Sequence, residues 1–142
     1  MKNKILIGLD SRQSKIVAKV FEMLNQTHID LAEFACLVSS GECLSFKAYS
    51  EIRILQERIE DMCNMMEAPP KSSPFFEIYE ELDLADGFLS CLMVTLWPQE
   101  KLPTSQLLEW REATVIYAVL FSTMHRVKNA LAAFRELTVC IC

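Results

Sequence analysis

The stretch Ser105–Leu137 reads SQLLEWREATVIYAVLFSTMHRVKNALAAFREL. Taken at steps of three and four it yields one apolar line: Trp110, Ala113, Tyr117, Leu120, Met124, Val127, Leu131, Phe134. Such a line is the seam of a long amphipathic helix, packed against other helices or against its own copy. Val115, Ile116 and Val119 widen it, so the middle of the helix is expected to be covered on most sides. At 1.5 Å per residue the helix is roughly 45 Å long. It outruns a shorter neighbour, and a homodimer is the simplest cover for the remainder.

Two earlier segments repeat the pattern. Residues 46–67 carry Ala48, Ile52, Leu55, Ile59, Met62 and Met66 on one line, with Ser45 as the expected cap and Arg53 and Glu57 one turn apart on a wet face. Residues 74–97 carry Phe75, Ile78, Leu82, Ala85, Leu89, Leu92 and Leu96. Pro69-Pro70-Lys71-Ser72-Ser73-Pro74 separates the two, with Pro74 suited to a first helical position. Gly87 falls off the apolar line, where a bend or a close contact is expected.

The N-terminal third reads as two shorter helices. One covers about 14–26, with Ile16, Val17, Val20, Phe21 and Leu24 inward. Thr27 caps the next, about 28–38, with Leu31, Phe34, Ala35 and Val38 inward and Gly41 in the left-handed position after it. The expectation is therefore all-α: residues 1–142 as one antiparallel bundle of about five helices with a long C-terminal helix. The alternative is α+β, with a strand at 5–9 and a hairpin near 34–46.

The chain has 142 residues, enough for a real core, and 51% hydrophobic against 23% charged residues rules out a disordered chain. Three glycines are too few for an all-β protein or a glycine-rich phosphate cradle. A net charge of −5 disfavours a broad phosphate-binding surface. No run approaches the ~18 apolar residues of a membrane span, and no leader is evident, so the expected compartment is the cytoplasm. The six cysteines are irregularly spaced and read as mostly buried, reduced apolar residues. Cys140-Ile141-Cys142 resembles the doubly prenylated end of Rab-type small GTPases, but the nucleotide motifs of that family are missing.

Catalytic and metal signatures are absent at the level of spacing: there is no phosphate loop, His-Glu-x-x-His, Gly-x-Ser-x-Gly or bundle Glu-x-x-His. No cofactor and no metal is expected. The reading is a non-enzymatic protein–protein interaction module, an adaptor, regulator or chaperone-like chain, homodimeric through Trp110, Tyr117, Leu120, Met124, Val127, Leu131 and Phe134. A second groove for a protein partner is suggested by Met62, Met65, Met66, Phe75 and Phe76, since methionines adapt to varied helices. Two other classes stay open. Residues 31–55 could form a helix-turn-helix transcriptional regulator with Lys47, Ser50 and Arg53 outward. A small-ligand site or enzyme would instead bury an ionisable group, with Glu80, Asp83, Asp86 or His125 as candidates.

Overall fold

The computed structural model describes residues 11–99 and 101–141. Among them are four helices: α1 (Ser11–Ser39), α2 (Ser45–Met66), α3 (Phe76–Leu96) and α4 (Trp110–Ile141). Each helix packs on two neighbours, in the ring α1–α2–α3–α4–α1, and neither diagonal pair touches. Short connections and cross-helix pairs set antiparallel neighbours: Arg58 reaches Asp30, Gln56 reaches Ser90, and Arg126 reaches Glu81.

The all-α expectation holds, with four helices in place of about five. The two expected N-terminal helices are one. Thr27 does not cap a new helix; its hydroxyl donates to the Met23 carbonyl at 2.7 Å, and the residue is wholly buried. That local bond lets a threonine sit inside a helix without an unsatisfied hydroxyl. Neither glycine nor proline interrupts residues 14–39, so nothing stops the helix before Gly41, which takes φ 78° after it. The hairpin near 34–46 is overturned for the same reason, because Phe34–Ser39 is the end of α1. The expected strand at 5–9 lies outside the described residues.

The predicted seams of α2 and α3 are the buried ones. Ala48, Ile52, Leu55, Ile59 and Met62 are inside, as are Ile78, Leu82, Ala85, Leu89, Leu92 and Leu96. α3 starts at Phe76, two residues later than the expected Pro74; the turn before it is held by Ser73, which accepts from Phe75 N at 3.1 Å on its Oγ and from Phe76 N on its carbonyl. Ser45 is not a side-chain cap. The first N–H groups of α2 donate instead to the 97–109 connection, Ser45 N to Gln106 O and Phe46 N to Thr104 O, both at 2.8 Å. A bridge between Leu44 and Leu107 completes this strap across the bundle end. The strap delays α4, which begins at Trp110 rather than near 105. At the other end α2 closes with Glu67 and Ala68 at φ 55° and 36°, held left-handed ahead of Pro69.

In α4 the buried line runs Ile116, Leu120, Thr123, Val127, Ala130, Phe134 and Leu137. This is the expected seam turned about the helix axis, through Ile116 and Thr123 where Tyr117 and Met124 were expected. Thr123 enters the core because its hydroxyl donates to Val119 O at 2.8 Å. The helix runs past the expected stretch ending at Leu137 and continues to Ile141.

Candidate functional site

Of the residues expected at a dimer seam, Leu120, Val127, Leu131 and Phe134 are filled by their own bundle, with Phe134 5.4 Å from the Phe21 ring. Tyr117 and Met124 are half-buried on the flank towards α1, and Trp110 stands 74% exposed. The surface that α4 leaves open is therefore a different one, shared with α3.

The outward surfaces of α3 and α4 carry no charge over half the bundle's length. Residues 87–99 and 113–124 contain no Asp, Glu, Lys or Arg, and antiparallel packing sets the two runs side by side. Between them lies a groove of about 340 Å³, lined by Phe88, Cys91, Thr95, Val115, Ala118 and Ser122. Val94 is 70% exposed on α3 and Val115 42% on α4; Phe121, 53% exposed, lies instead on the Tyr117 flank of α4, edge-on to that ring at 4.9 Å. The absence of lysine, arginine and carboxylates here means that covering the surface desolvates no ion. The remaining half of this face is charged. Glu77, Glu80, Glu81 and Asp83 lie on α3, whereas Arg126 and Lys128 lie level with them on α4. Arg126 and Asn129 both donate to Glu81 at 3.1 Å.

Gly87 sits in this face. A Cβ placed on it would meet no atom within 4 Å, so the close contact expected from its presence is not made inside the chain.

The second expected groove is partly assembled. Met65, Met66 and Phe75 meet Ile16, Val17 and Phe134 around a cavity of about 210 Å³ at the opposite bundle end. Met62 lies beneath it in the core, and Phe76 does not reach it.

The candidates for an ionisable pocket do not converge. Glu80 and His125 are exposed on different helices. Burial, followed by the nearby Glu60 charge, pushes the Asp86 carboxyl above its usual range, and its Oδ1 has no partner. Burial with the Asp83, Asp86 and Glu60 charges pushes the Cys63 thiol up to about 12, so it is protonated and unreactive at neutral pH. Cys36 and Cys91 are exposed rather than buried, Cys43 is inside, and Cys142 lies outside the described residues. Among the described residues no group of three or more His, Cys, Asp or Glu is placed to hold a metal ion, and no helix is long and apolar enough to cross a membrane.

Residues 31–55 form the turn of the α1–α2 hairpin. Lys47 is paired with Glu51 and Arg53 with Glu57, each at 3.0 Å, which leaves little free positive charge for phosphates.

Comparison with family models, with curated proteins and with solved structures finds no match for this chain.

Proposed function

We propose that this chain is a non-enzymatic interaction module, a small adaptor or regulator that docks through the outward face of α3 and α4 and assembles with itself there. The observation that carries the reading is the uncharged surface spanning residues 87–99 and 113–124, with Val94 and Val115 exposed on it. A water-facing helix pair ordinarily scatters charge over such a length, and contiguous apolar patches mark contact surfaces. The α1–α2 pair of the same molecule shows the ordinary case, with charges distributed along its length.

Site-specific photocrosslinking in the cell that makes the protein tests the reading. A photoreactive residue is placed at Val94 or Val115, and at Phe46 or Ile54 as the control on the other side. Protein adducts from the first pair and none from the second are expected. Equal yields from both, or none from the α3–α4 face, would discard it.

A further inference from the structure

We propose that the cleft between the start of α1 and the end of α2 binds a free apolar α-amino acid, its side chain inward and its charged head at the mouth. The site lies at the far end of the bundle from the α3–α4 groove and stands independently of the docking reading above.

The floor of the cleft is apolar. Val20 and Phe134 lie beneath it, 1% and 2% exposed, and the partly covered Ile16, Met65, Met66 and Phe75 wall it. A dry apolar cavity of about 150 Å³ is enough to take benzene, so the 210 Å³ found here accepts a phenyl or isobutyl side chain. Filling it takes apolar surface of both partners out of water, and the two methionines adjust to the shape of what enters.

The mouth carries one charge of each sign. Arg12 and Glu67 line the same cleft, and among the described residues neither has an ion-pair partner. Their charged atoms therefore stand more than 4.0 Å apart, open to a third group between them. A cation and an anion held apart over an apolar floor match a ligand that bears a carboxylate and an ammonium on one carbon and an apolar group below. A fatty acid or an alkyl amine would satisfy only one of the two charges, and a neutral lipid neither.

The backbone adds a further observation. Glu67 and Ala68 follow one another at φ 55° and 36°, a conformation that residues with a side chain rarely adopt. The turn they make leaves Met66, Glu67 and Pro69 all lining this one cleft. Strain of this kind gathers at ligand clamps.

Isothermal titration calorimetry of the full chain with L-phenylalanine tests the proposal. A Kd of roughly 0.1–1 mM is expected, the range open to a ligand of this size. L-serine, with the same head and no apolar group, is expected not to bind. Phenethylamine, which lacks the carboxylate, and 3-phenylpropionate, which lacks the ammonium, are each expected to bind roughly threefold more weakly, as loss of one exposed charge contact implies. Arg12→Gln is expected to weaken phenylalanine and 3-phenylpropionate and leave phenethylamine unchanged, whereas Glu67→Gln weakens phenylalanine and phenethylamine and leaves 3-phenylpropionate unchanged. Val17→Phe, which fills the cleft from its wall, is expected to abolish binding with an unchanged helical spectrum; should it fail to fold, the two exposed mouth variants carry the test. No binding of phenylalanine at about 10 mM, well above the expected Kd, overturns the site. Binding indifferent to the mouth variants, or phenethylamine or 3-phenylpropionate binding as tightly as phenylalanine, overturns the amino acid as its ligand.

Discussion

The two helix pairs of this bundle bury their inward faces alike and differ on the outside. On α1–α2 the charges are spread along the pair, and three ion pairs form among them: Lys47 with Glu51, Arg53 with Glu57, and Arg58 with Asp30, which Gln26 also reaches at 2.9 Å. On α3–α4 the charges gather towards the two ends, with Arg111 and Glu112 at one, and residues 87–99 and 113–124 between carry none. Solubility requires the first arrangement and association tolerates the second, because an ion pair at the edge of an interface keeps its water while an apolar centre loses none that matters. The contrast teaches that amphipathic periodicity finds inward faces reliably. It does not tell a helix that is wet outside from one that is dry on two sides.

Neighbouring residues in α4 offer the strongest way to break this comparison. Leu120→Asp puts a charge in the core and is expected to unfold the chain or cost about 4 kcal/mol or more. Phe121→Asp, one residue on, is expected to leave the folded protomer intact by circular dichroism. If both unfold it, Phe121 belongs to the core and the outward face has been misassigned.

On the α1–α2 side Arg58→Ala leaves the Asp30 carboxylate without its cation. Both side chains are about three-quarters covered, and the loss in chemical denaturation is expected to be about 1–3 kcal/mol. Lys47→Ala, at an exposed pair, should change stability by no more than about 0.5 kcal/mol. Burial acts to raise the Asp30 carboxyl, but hydrogen bonds from Arg58 and Gln26 and the Arg58 charge outweigh it and hold the net value below the usual 3.8. This contribution is present above pH 3.8 and is lost as pH falls through the depressed value. The Arg58→Ala penalty should therefore shrink in acid.

Gly87→Ala sharpens the comparison from the other side. With nothing within 4 Å of the new methyl, the protomer should gain about 0.5–1 kcal/mol from helix propensity. A loss would mean that the glycine serves its own chain.

The smallest expected effect is one of sign. Asp86 is raised by burial and then by Glu60, so its cost is fully present at neutral pH and relieved as pH falls through the raised value towards 3.8. Asp86→Asn should therefore stabilise the protein at pH 7 and lose that advantage in acid, the opposite trend to Arg58→Ala. Parallel pH profiles for the two variants would contradict the assignment.

Much of this architecture was legible in the residues. The lines through α2 and α3 are buried as expected, apart from the partly covered Met66 and Phe75 at their ends, because Leu, Ile, Ala or Met recurs there at every third or fourth position. Pro69 and Pro70 keep α2 from running on by steric necessity, and Pro74 stands two residues ahead of α3. The bare α3–α4 surface was legible only as the apolar middle of α4, expected to be covered on most sides, since a helix seen alone does not say how many sides its neighbours cover.

The sequence by itself determined that the chain is helical, where three of its four helices turn inward, and that no clustered metal or phosphate chemistry is written at familiar spacing. Tertiary structure decided the rest. Thr27 looked like a cap and Thr123 lay off the expected line; inside built helices their hydroxyls bond to carbonyls one turn back, so α1 runs on and the buried line of α4 turns to include position 123. The first turn of α2 takes its hydrogen bonds from Thr104 and Gln106, some sixty residues away, a partnership no local pattern encodes. Whether Phe121 faces core or solvent is settled by the rotation of α4 against α1 and α3, and that angle is a property of packed neighbours.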